Sequence, residues 1–221
     1  MVKWALLSNK MKPVKALLFD LGNVLLPIDL VRSYEAFSAL SSNYSALQIE
    51  QITQEEGLWR AYEAGLVDEN IFRLSIQNRF QFSCSDETFD QAFNSLLLGF
   101  HGGVYELLAD LAKQFDLYLL SNTSSIHARV FMKERIGPEG QHVFDLFKKI
   151  YLSFEMGLIK PDPRIYEQVL IENNLLASEV MFFDDNFSNI ESAKRVGVQA
   201  ILIDPISSLS QIRQILQSYV N

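Results

Sequence analysis

Four polar clusters close or follow apolar runs in this chain. LLFDLGNVLL, residues 17–26, carries Asp20 and then a glycine at position 22. LYLL is closed by Ser121, Asn122 and Thr123, and VMFF by Asp184, Asp185 and Asn186. In GLIKPDPRIY, Lys160 stands just before a helical pattern whose first turn carries Pro163. Any one of these acids serves equally well as a helix cap. In an open α/β sheet, ligands bind outside the carboxyl ends of the strands, near the point where strand order reverses. Four clusters on one such rim are hard to explain as caps; together they read as a site for a polar ligand.

The elements that would carry them fall into two blocks. From Gly102 onward, helix and strand patterns alternate. Val104, Leu107, Leu108, Leu111 and Phe115 form one helical stripe, and strands follow at 117–121, 149–153, 180–184 and 200–204. Helices are expected over 126–135, 164–173, 188–196 and 209–219, and a first strand over 16–19. This alternation predicts an α/β fold, a doubly wound parallel sheet with helices on both faces.

Between Asp29 and Gly99 the pattern is helical only. Expected starts are Asp29, Ser45 with Gln48, Thr53 with Glu56, Asp68 and Ser85. An all-helical cap over 29–99, inserted after the first strand of a core formed by 14–28 and 100–221, is the predicted organisation. Neither repeats nor low-complexity segments interrupt it.

Composition narrows the function classes. The 221 residues suit one domain with an insertion, or two modest domains. With 48% hydrophobic and 21% charged residues, the chain reads as globular rather than disordered. A net charge of −8 argues against a general nucleic-acid or membrane-surface binder. It leaves room for an anionic substrate, because a local cation or metal can reverse the field inside one pocket. The single cysteine, Cys84, permits no internal disulfide and points to a reducing, cytoplasmic compartment. The opening MVKWALLSNK lacks the full pattern of a signal peptide and reads as a frayed extension, with Met11 an alternative start.

FDLGNV, LLSNTS, GLIKPD and FFDDNFSN match, in order, the four motifs of the haloacid dehalogenase (HAD) superfamily. The chain resembles that family from about Val14 over nearly its whole length, and the helical block lies where the family places its cap. DLGNV, SNT with a following histidine, KPDPRIY and FFDDN look most like a bacterial branch that includes α-D-glucose-1-phosphate phosphatase. The resemblance implies a Mg²⁺-dependent phosphoric monoester hydrolase acting on a small phosphorylated metabolite, a sugar phosphate. Asp20 would attack phosphorus and form an aspartyl-phosphate that water hydrolyses. Asp20, the Gly22 carbonyl and Asp185 would hold the metal, and Ser121 and the Asn122 backbone the phosphate. Lys160 would balance charge, Asp184 would orient Lys160, and Asn189 would support the metal through water.

Gly22 departs from the pattern, since phosphatases of this superfamily usually carry a second aspartate there as general acid and base. A phosphate on an anomeric carbon has a better leaving group and would suffer less from the loss; water bound to Mg²⁺ or a cap residue could also supply the proton. His127 reads equally as a pocket residue or a helix-surface residue. Trp59, Tyr62 and Glu63, in WRAYEAG, are specificity candidates by resemblance and cap-packing residues otherwise. Two alternatives stay open: a metal-independent 2-haloacid dehalogenase, and a catalytically weak phosphate-binding protein.

Overall fold

The computed structural model describes residues 13–220, so the opening segment with Met11 lies outside the described residues. In chain order the elements are β1 (Ala16–Phe19), α1 (Leu30–Leu40), α2 (Ala46–Glu56), α3 (Leu58–Glu63), α4 (Glu69–Arg79), α5 (Asp86–Asn94) and α6 (Val104–Leu111). They continue with β2 (Asp116–Ser121), α7 (Ser125–Phe131), β3 (Lys149–Leu152), α8 (Ser153–Met156) and α9 (Pro163–Glu172). The last are β4 (Val180–Asp184), α10 (Phe187–Val196), β5 (Gln199–Leu202) and α11 (Ser208–Val220).

The strands form one sheet in the order β3-β2-β1-β4-β5, every neighbouring pair parallel. Both faces are buried, which explains why the strands are near-continuous apolar runs. Leu17, Phe19, Leu117, Leu119, Met181 and Phe183 point into the core beneath α6, α7 and α11. Ala16, Leu18, Tyr118, Leu120, Val180 and Phe182 alternate with them and pack beneath α9 and α10. The chain builds outward from β1 to β3, then returns to the other side of β1 with β4. The strand order therefore reverses between β1 and β4, and a crevice opens there at the carboxyl ends.

Helices α1 to α5 enclose a separate aromatic cluster in which Tyr62 stacks on Phe72 at 4.2 Å and Phe72 meets Phe93 at 5.0 Å. Two linkers joining this block to the sheet run side by side. Asp29 N donates to Leu96 O at 2.9 Å, Leu98 N to Pro27 O at 3.1 Å, and Ile28 bridges Leu97. Asp29, Ser45, Asp68 and Ser85 each cap a helix, and Ser45 and Gln48 form the reciprocal capping box.

Thr53 with Glu56 does not open a helix. Thr53 lies buried inside α2, and the break comes at Gly57, whose left-handed backbone (φ 60°) suits a residue without Cβ. A local Thr-x-x-Glu pattern cannot reveal that the helix already runs through it. Helix α7 is also shorter than expected: Ser124 caps it, and it ends at Phe131 rather than 135. Among the described residues no helix is long and apolar enough to cross a membrane.

Candidate active site

Asp20 is the first residue past β1, and its backbone N–H is drawn across the switch point to Phe183 O of β4 at 2.9 Å. Its Oδ1 accepts from Leu21 N at 2.7 Å and from the Lys160 ammonium at 2.8 Å. No other hydrogen bond occupies Oδ2 among the described residues. Lys160 is 1% exposed and lies equally close, 2.8 Å, to Asp184 Oδ2 at the end of β4. Burial opposes charge on Lys160, but Asp184 and Asp20 outweigh it and hold the ammonium above its ordinary range. Burial pushes the Asp20 carboxyl up to about 7; the Lys160 ammonium pulls against this, and the charge of Asp184 adds to the rise.

Carboxylate oxygens of Asp20, Asp184 and Asp185 lie within 4.8 Å of one another. Hard oxygen donors at that spacing fit a divalent cation such as Mg²⁺. Three carboxylates against one ammonium leave an excess of negative charge that a dianionic phosphate would worsen without such a cation. The three acids are not equivalent. Asp184 is saturated: Oδ1 accepts from Asn186 N (2.7 Å), Oδ2 from Lys160, and Asn189 Nδ2 reaches both oxygens at 3.0 Å. The Asn189 amide nitrogen is thereby directed at Asp184. Asp185 accepts from Asn23 Nδ2, at 3.0 Å, and burial raises its pKa. The Gly22 carbonyl accepts no hydrogen bond among the described residues, so Asp20, Asp185 and that carbonyl are the donors left available.

Asn122 contributes more than its backbone. Its side chain donates to Lys160 O (3.0 Å) and accepts from Lys160 N (2.9 Å), fixing the segment that delivers the lysine. Ser153 was not singled out by sequence; its hydroxyl accepts from Thr123 N at 2.9 Å and donates to the Glu63 carbonyl at 2.6 Å. Asn23 also escaped notice. It holds a left-handed backbone (φ 57°) and bonds both Asp185 and Ile28 N. The Gly-Asn pair was a legible turn signal for it.

A pocket of about 70 Å³ runs from Gly22, Ser121, Asn122 and Thr123 to Trp59 and Glu63 of α3, with Leu26, Ile28 and Leu97 on its walls. A larger groove of about 310 Å³ between α6 and α11 includes none of the four polar clusters, so size alone does not mark the site. His127 lines the smaller pocket and is buried, not on the helix surface. Its ring stacks on Phe93 and its Nδ1 pairs with Asn94 Oδ1 at 2.8 Å; burial pushes its pKa down to about 3. Trp59 and Tyr62 both pack the helical block, and Tyr62 Oη also meets Ser125 Oγ at 2.7 Å.

A doubly wound parallel sheet with an ion-paired aspartate at its switch point, beside a second acid, places this chain among α/β proteins with a polar site at that crevice. The model of the haloacid dehalogenase-like hydrolases matches residues 14–197, and the chain belongs to that family. It is 27% identical over 190 residues to D-ribitol-5-phosphate phosphatase of Bacteroides thetaiotaomicron, covering 84% of this chain and 90% of the relative. A sesquiterpene phosphatase of Aspergillus oryzae is 28% identical over 206 residues, 91% of this chain and 96% of the relative. Among solved structures, a HAD family enzyme of B. thetaiotaomicron in complex with magnesium and inorganic phosphate is similar, with TM-score 0.80 and 32% identity over 87% of this chain and 95% of that one.

Proposed function

We propose that the protein is a Mg²⁺-dependent phosphatase of small phosphorylated metabolites, working through an aspartyl-phosphate on Asp20. The observation that carries this is the Asp20–Lys160–Asp184 ion-paired cluster beside Asp185 at the switch point. With Oδ1 of Asp20 tied to Leu21 and Lys160, Oδ2 is the oxygen left to attack phosphorus. The P–O bond to the leaving alcohol breaks as the bond to Asp20 forms, and water then cleaves the acyl phosphate. Asp20, Asp185 and the Gly22 carbonyl would hold Mg²⁺, which supplies charge neutralisation when bound. Ser121 and the Asn122 backbone bind phosphate oxygens, and Lys160 balances their charge. Asp184 and Asn189 keep Lys160 oriented.

In this reading the helices over 29–99 act as a cap that closes the crevice and selects the substrate. Relatives named for D-ribitol-5-phosphate and for a sesquiterpene support a phosphomonoester substrate while differing widely in the alcohol. We place the substrate among sugar and polyol phosphates, in keeping with the relative named for D-ribitol-5-phosphate. Ribitol-5-phosphate carries an ordinary primary-alcohol leaving group, which competes with the anomeric class that Gly22 favours. The single free cysteine suits a cytosolic enzyme.

A metabolite panel that contains both classes tests the reading: phosphate release is measured with Mg²⁺ and with chelator, beside halide release from 2-haloacids. Mg²⁺-dependent phosphate release is expected. Halide release without metal would assign a dehalogenase, and no turnover of either kind would assign a phosphate-binding protein.

A further inference from the structure

An alkoxide leaves phosphorus readily only as it takes up a proton. The side chains around Asp20 are poorly placed to give one. Asp184 is saturated with hydrogen bonds and Lys160 is shared between two acids. Gly22 has no side chain, and a Cβ there would meet only Ile28, at 3.4 Å. Two titratable side chains line the pocket that Gly22 and Ser121 share, His127 and Glu63. His127 is neutral at ordinary pH, since burial pushes its pKa to about 3, so it brings no proton.

Glu63 ends α3 and is held firmly against the core. Its carbonyl accepts from Ser153 Oγ, the same hydroxyl that binds Thr123 N in the loop after β2. Two residues on, Gly65 (φ 68°) lies so close to α8 that an added Cβ would sit 2.4 Å from Phe154 O. The cap turn thus approaches the core as nearly as a backbone permits. Among the described residues the Glu63 carboxyl makes neither a hydrogen bond nor an ion pair. Burial lifts its pKa to about 7 against the pull of Arg60, the range in which one group both gives and takes a proton at neutral pH.

We propose that Glu63, supplied by the cap, is the general acid and base of the reaction. Resting on the phosphatase reading, the steps balance as follows. Asp20 forms its bond to phosphorus, the P–O bond to the alcohol breaks, and the Glu63 proton passes to the departing oxygen. Water then attacks phosphorus, giving its proton to the Glu63 carboxylate, and the Asp20–P bond breaks to release phosphate. The acid is regenerated without a co-reactant. A carboxyl brought by the cap makes proton transfer contingent on cap docking.

The test uses the full chain with Mg²⁺ and compares wild type with Glu63→Gln on p-nitrophenyl phosphate and on the primary-alcohol phosphate that wild type hydrolyses fastest. Glu63→Gln should lose about 100-fold or more in kcat on the alkyl phosphate. On p-nitrophenyl phosphate it should keep a burst of nitrophenolate at the wild-type rate, followed by slow turnover as aspartyl-phosphate accumulates. Glu63→Asp, which keeps a carboxyl, should retain more of the alkyl rate than Glu63→Gln. Equal losses in burst and alkyl rates, or a raised KM with kcat unchanged, would overturn the proposal and leave Glu63 a binding residue. If wild type releases no phosphate from either substrate, the phosphatase reading fails as well; an active wild type with a normal Glu63→Gln sinks this proposal alone.

Discussion

Asn122 grips Lys160 by both backbone polar groups, donating to its carbonyl at 3.0 Å and accepting from its amide at 2.9 Å. A residue at the end of β2 thereby sets the position of an ammonium that serves the ends of β1 and β4. Asn122→Ala removes the grip without touching a charge. Phosphatase kcat/KM should fall about 10- to 100-fold through misplacement of Lys160. Steady-state kinetics beside a thermal melt checks this; a large loss of folding with normal activity in the folded fraction would contradict it.

Lys160→Met has two consequences. From sequence the lysine reads as a charge-balancing group. Its burial between Asp20 and Asp184 adds a second role, because the substitution leaves Asp184, 0% exposed, without a counter-charge. Breaking a buried pair by removing one partner costs about 3–5 kcal/mol. Urea unfolding of Lys160→Met should show a clear loss of stability, alongside loss of phosphate binding in titration calorimetry. Unchanged stability would mean that the acids pick up protons at little cost.

The helical block over 29–99 is joined to α7 by charge. Glu69 of α4 accepts from Arg129 of α7 at 2.6 and 2.9 Å, from Ser125 and from Arg73, which also pairs with Asp90. Partial burial works against the Glu69 charge, but these bonds outweigh it and hold the carboxyl at about 2, below its ordinary 4.5. A depressed pKa contributes stability above 4.5 that is lost as pH falls from 4.5 towards 2. Arg129 is half exposed, so the contribution is modest, about 1 kcal/mol. Glu69→Gln should be less stable than wild type at pH 7, and the difference should shrink as pH falls through that window. Denaturant midpoints at a series of pH values measure it; a constant gap would contradict the account.

What was legible in the sequence follows from what is local. Asp20, Asp184 and Asp185 close apolar runs whose period and length mark buried strands, so their place on one rim could be argued from pattern. Lys160 was legible through its motif. The Asn122 side chain, Ser153 and the Glu69–Arg129 clasp were not, because each joins segments 30 to 60 residues apart through loop conformation that no periodicity encodes. Thr53 was misread for the converse reason: a cap pattern is local, whereas helix continuity through a buried position is set by packing on α1 and α3. The resemblance gives Asn189 a water-mediated role toward the metal, and only the geometry adds the two bonds from its amide nitrogen to Asp184.

The central claim is that Asp20 is the nucleophile. It is tested most directly by the initial rate of phosphate release from the best panel substrate in Mg²⁺, for wild type and for Asp20→Asn, with folding confirmed by circular dichroism. The substitution keeps size while removing the attacking oxygen's charge and one metal bond. A loss of at least about a thousandfold is predicted. A rate within about tenfold of wild type would contradict the mechanism, since that interval is worth only about 1.4 kcal/mol of barrier.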